Sequence, residues 1–78
     1  MTTGNSLDLR GLKCPLPVLK ARKAMKAMKA GEQIWLETTD PLAVLDVPAF
    51  CQEVGHILLE QHEESDHHRF LLQVGDKV

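Results

Sequence analysis

Gly11-Leu12-Lys13-Cys14-Pro15-Leu16-Pro17 is the stretch at which the chain changes its hydrophobic period. Before it, Leu7-Asp8-Leu9-Arg10 alternates apolar and polar side chains, which reads as a short strand closed by Gly11. After it, from Pro17 to about Ala30, the apolar residues Val18, Ala21, Ala24, Met25 and Met28 fall on one arc of a helix, and Gly31 supplies a stop. Pro17 suits a first helical turn, where its missing N–H removes nothing the helix needs. A cysteine therefore stands where a strand hands over to a helix.

The same reading extends to the rest of the chain. Gln33-Ile34-Trp35-Leu36-Glu37-Thr38-Thr39 has strand length and strand composition, closed by Asp40-Pro41. Leu42-Ala43-Val44-Leu45 reads as a helical turn, and Asp46 as the N-cap of a second helix whose Val47, Phe50, Cys51 and Val54 share one face up to Gly55. His56-Ile57-Leu58-Leu59-Glu60-Gln61-His62 and Arg69-Phe70-Leu71-Leu72-Gln73-Val74 are strand-like, joined by the polar turn 63–68. The order β-α-β-α-β-β predicts an α+β fold, a two-layer α/β sandwich in which two helices cover one face of a four-stranded mixed sheet. Trp35 is expected on the uncovered face.

The 78 residues are 44% hydrophobic and 26% charged, too rich in aliphatic side chains for disorder and ordinary for a globular chain. A chain of this size buries only about 60% of its unfolded surface, so one domain spanning residues 1–78 is expected. No window approaches the length of a membrane span, and Met1 to Ser6 lacks the basic and apolar parts of an export signal. A cytoplasmic location and a reducing compartment are expected, which argues against a Cys14–Cys51 bridge. The net charge of −2 hides a segregation: Arg10, Lys13, Lys20, Arg22, Lys23, Lys26 and Lys29 crowd the first third, leaving only Arg69 and Lys77 elsewhere. Such a dipolar surface steers charged partners.

Cys14 is the candidate reactive residue. Unpaired N–H groups and the macrodipole at a helix start favour an anion by roughly 0.3–2 kcal/mol, and Lys13 adds positive charge. Both are expected to lower the thiol pKa; a one-unit fall from about 8.5 raises the thiolate fraction at pH 7 from about 3% to about 24%. Cys51, on the apolar stripe of the second helix, is expected to be a buried core residue.

Other chemistries fit less well. An acyl-transferring cysteine needs an oriented histidine, yet His56, His62, His67 and His68 all lie in the last two strands or their turn, where they read as solvated hairpin residues. No metal-ligand spacing occurs, so neither a metal nor a cofactor is expected. Thioredoxin-like chemistry wants a second cysteine where Pro17 stands. The basic first helix reads alternatively as an RNA- or protein-binding surface with Cys14 incidental. With no Tyr, two Phe and one Trp, stacking groups are scarce, and direct nucleic-acid binding is not expected. Leu19, among Lys20, Lys23 and Lys26 and off the apolar stripe, has the makings of a docking knob for a protein.

Cys14-Pro15-Leu16-Pro17, together with Leu7-Asp8-Leu9-Arg10-Gly11-Leu12, Asp40-Pro41 and Asp46-Val47-Pro48-Ala49-Phe50-Cys51, resembles the TusA/SirA family of small sulfur carriers, whose mark is C-P-x-P. The resemblance spans nearly the whole chain and is nearer to TusA proper than to selenium-associated or transporter-linked relatives. It implies a two-layer fold similar to the C-terminal domain of bacterial translation initiation factor three. It further implies that Cys14 carries sulfane sulfur as a persulfide, received from a cysteine desulfurase or a rhodanese and passed to a DsrE-like acceptor. The end uses implied are tRNA thiolation or cytoplasmic sulfur oxidation. Arg22 and Asp40 match positions implicated in desulfurase docking, and Lys13 and Leu19 join them as expected partner contacts. Leu16 stands where many tRNA-thiolation members have glutamate. Such a protein is a sulfurtransferase-type relay rather than a turnover enzyme with a small-molecule pocket.

Overall fold

A computed structural model describes residues 5–75. Their elements run β1 (Asn5–Leu9), α1 (Leu16–Lys26), β2 (Gln33–Thr38), α2 (Ala43–Val54), β3 (Ile57–Glu63) and β4 (His68–Gln73). The four strands form one sheet in the order β1-β2-β4-β3. β1 runs parallel to β2, while β4 is antiparallel to both β2 and β3. The sheet is mixed, as expected from a helical crossover followed by a hairpin.

Alternation along the strands fixes the two faces. Ile34, Leu36 and Thr38 of β2 and Phe70 and Leu72 of β4, with Val74 just beyond it, are buried. Pro17, Ala21 and Met25 of α1 and Ala43, Val47, Phe50 and Cys51 of α2 close over them. Both helices therefore cover one face. Trp35 lies on the other, where it pairs with Leu71 and carries the Arg69 guanidinium 4.2 Å from its ring centroid and the His62 ring at 6.0 Å.

The helix boundaries differ from the sequence expectation. α1 begins at Leu16 with Pro17 in its first turn, and it stops at Lys26 rather than near Ala30. The chain has to leave the helix early because Gly31 N–H donates to the Val74 carbonyl and Val74 N–H donates to Glu32, both at 2.8 Å. α2 begins at Ala43, not after Asp46, and carries Pro48 in its interior. Proline normally marks a first turn, but here the extra turn Ala43–Asp46 precedes it, so Asp46 is a first-turn residue instead of the N-cap. Gly55 ends α2 with φ 86°, a left-handed conformation that glycine adopts without steric cost. Gly75 passes so close that a Cβ there would run into the Gly55 carbonyl oxygen.

Of the histidines expected to be solvated, only His62 is exposed. His56 accepts a hydrogen bond from Gly75 N–H at 3.1 Å, and His67, the last residue of the turn, and His68, the first of β4, are partly buried. His67 bonds to Asp66 at 2.7 Å and His68 lies 3.7 Å from Glu63.

Candidate functional site

Parallel β1 and β2 both end at the same edge of the sheet, so the loop after each arrives beside the start of a helix. Cys14 sits in the first of these loops. Lys13, Cys14, Pro15 and Leu16 make a tight turn in which the Lys13 carbonyl accepts from Leu16 N–H at 2.8 Å, with a cis Cys14–Pro15 peptide. Pro15 is the N-cap of α1, its carbonyl accepting from Leu19 N–H, so Cys14 lies one residue outside the helix.

The second loop holds the first in place. One Asp40 oxygen accepts from Cys14 N–H, and the other accepts from Leu42 N–H at 3.0 Å in an Asx turn. Thr39 adds a third tie, its hydroxyl accepting from Gly11 N–H at 2.8 Å. A single carboxylate thus spans both loops and seats Cys14 against the first turn of α2.

That position reverses the electrostatics expected from sequence. The Cys14 pKa is raised, foremost by a hydrogen bond between its thiol and the Asp46 carboxylate, then by partial desolvation and the charges of Asp46 and Asp40. A carboxylate that accepts the S–H stabilises the protonated form. The shift runs opposite to the lowering expected from the helix start and Lys13. The thiol itself is exposed.

Cys51 is the opposite case: 3% exposed in the core, with its pKa pushed up to about 11 by burial. Lys13 and Leu19 are exposed. Arg22 reaches across to α2, 3.6 Å from Glu53 and with its guanidinium 5.2 Å from the Phe50 ring centroid. It lies six residues beyond the start of α1, about 9 Å along the axis. Asp40 is joined to Cys14, whereas Arg22 is not. Sequence reading missed the exposed leucines at the starts of the two helices: Leu16 (44%) and Leu19 (51%) from α1, and Leu42 (50%) and Leu45 (67%) from the start of α2. Only Leu19 was singled out; the signal for the other pair was the spacing of Leu42 and Leu45, which skips the buried stripe of Ala43, Val47 and Phe50.

Among the described residues no group of three or more His, Cys, Asp or Glu is placed to hold a metal ion. No helix among them is long and apolar enough to cross a membrane. The two-layer α+β sandwich thus presents one exposed thiol, Cys14, on a loop clamped by Asp40. The chain belongs to the TusA family: the family profile, Sulfurtransferase TusA, matches residues 5–74. The sulfur carrier protein TusA of Allochromatium vinosum is 42% identical over 67 residues, covering 86% of this chain and 88% of that one. A putative sulfur carrier protein of Neisseria meningitidis serogroup A is 46% identical over 59 residues, covering 76% and 80%. The crystal structure of a SirA-like protein from Desulfitobacterium hafniense superposes with a TM-score of 0.79 at 19% identity, over 94% of this chain and all of the other. That likeness confirms the fold.

Proposed function

We propose that this protein is a cytoplasmic sulfur carrier in which Cys14 holds one sulfane sulfur as a persulfide. The observation that carries the reading is the contrast between its two thiols, one exposed on a clamped turn and the other sealed in the core. The Cys14 thiolate attacks the outer sulfur of a donor persulfide, forming the new S–S bond as the donor's S–S bond breaks. The departing donor thiolate takes up a proton, so one thiol and one persulfide become one persulfide and one thiol with no oxidant consumed.

The donor in this reading is a cysteine desulfurase or a rhodanese, and the acceptor a DsrE-like protein serving tRNA thiolation or sulfur oxidation. Family membership and the names of the relatives support it. Lys13, Leu19, Arg22 and Asp40 take part in partner contact, Asp40 through the loop it holds. Incubation with a cysteine desulfurase and cysteine, followed by intact-mass measurement, tests the central step. The expected product carries one additional sulfur that dithiothreitol removes, and Cys14→Ser abolishes it while Cys51→Ser does not. A gain that persists in Cys14→Ser rejects the assignment.

A further inference from the structure

The charges that bear on the Cys14 sulfur are both negative. Asp40 holds the backbone N–H of Cys14, and Asp46, in the first turn of α2, lies near enough to the thiol to raise its pKa. The first turns of the two helices that start beside this loop also carry exposed leucines, Leu16 and Leu19 on α1 and Leu42 and Leu45 at the start of α2. A protein that brings its own sulfur to Cys14 approaches the loop that Asp40 holds, and in doing so it withdraws carboxylates from water. Carboxylates lose solvation on such burial and are tolerated only against an opposite charge. The exposed leucines offer apolar contact area, and the acids dictate what must face them.

Resting on the carrier reading above, we propose that Asp46 and Asp40 make Cys14 select sulfur donors that present a positively charged side chain beside their reacting sulfur, and that this cation releases the thiolate for attack. In the free carrier the thiol stays protonated, which slows its reaction with oxidants and stray electrophiles, since the thiolate is the nucleophile. A cation arriving within about 4–6 Å offsets the carboxylates and favours ionisation. A donor with an anionic site is repelled by the same groups. The proton lost by Cys14 ends on the donor's departing thiolate, so the exchange stays balanced.

Small charged disulfides test the rule without any partner protein. Exchange of Cys14 with cystamine, a dication, is compared with exchange with 3,3'-dithiodipropionate, a dianion, each rate normalised to that of neutral 2-mercaptoethanol with the same disulfide. In the Cys51→Ser background at low ionic strength, the normalised preference for the cation is expected to be about tenfold and to shrink towards one in about 1 M salt. Asp46→Asn should reduce the preference several-fold, and Asp46→Ser likewise, with circular dichroism reporting that both fold. Glu32→Gln, which removes one charge at the far end of the sheet and keeps an acceptor for Lys29 N–H, should leave it unchanged. A ratio near one, a preference for the dianion as a dominant Lys13 would give, or an equal ratio in Asp46→Asn overturns the proposal. Desulfurase loading is read separately: a wild-type protein that gains no sulfur sinks the carrier reading, whatever the disulfide ratio.

Discussion

Asp40 does more for the site than any residue except the cysteine itself. Its two oxygens satisfy backbone donors from two loops far apart in sequence, Cys14 N–H and Leu42 N–H. Hydrogen bonds to a charged acceptor contribute about 1.5–3 kcal/mol each, less where solvent competes. Asp40→Ala is therefore expected to lower stability by about 2 kcal/mol, read as a shift in the urea midpoint at unchanged m-value, whereas Asp40→Asn loses less because its amide oxygen retains one bond. Equal stability of wild type and Asp40→Ala would show that the two loops hold together without this clamp. None of this was visible in sequence, where Asp40-Pro41 reads as the end of a strand. A 26-residue separation between donor and acceptor has no local signature. The same applies to Asp46: its place before an apolar stripe suggests a cap, and only the fold shows that its carboxylate meets a sulfur.

At the scale of elements, apolar spacing identified each strand and helix, while boundaries yielded to tertiary demands. The stripe Ala21, Ala24, Met25, Met28 is real, but the last turn of α1 gives way to pairing with Val74. Asp46 read as a cap misplaced the start of α2, which begins one turn earlier at Ala43 and tolerates Pro48 in its interior at the loss of one backbone bond. The edge position of β3 was legible in hindsight from Glu60, Gln61, His62 and Glu63, since charged residues protect an unpaired edge. Inside the sheet, Thr38 is wholly buried and its hydroxyl has no partner among the described residues. A buried hydroxyl that makes no bond costs stability, and replacing it with a methyl of similar shape removes that cost. Thr38→Val is expected to be neutral or up to about 1 kcal/mol more stable by urea unfolding; a clear loss would show that the hydroxyl is bonded in solution.

For the whole molecule, the buried Cys51 couples folding to alkaline pH. Burial raises its pKa from 9.0 to about 11, so the folded state keeps a proton that the unfolded chain releases between those values. Stability from this group is complete below pH 9 and is lost as pH rises towards 11, by about 2–3 kcal/mol in all. Urea midpoints of wild type and Cys51→Ala, measured from pH 8 upward, should converge by that amount, since the variant has no thiol to ionise there. A constant gap across the range would refute the linkage. The sheet register has a practical consequence as well. Leu9, Thr38 and His68 align at the edge that bears Cys14, while Asn5, Gln33 and Gln73 align at the opposite one. The described chain thus begins at Asn5 and ends at Gly75 on the side of the sheet remote from the thiol. An affinity tag, a tether to a solid support or a fused second protein at either place would leave the reactive pole facing outward.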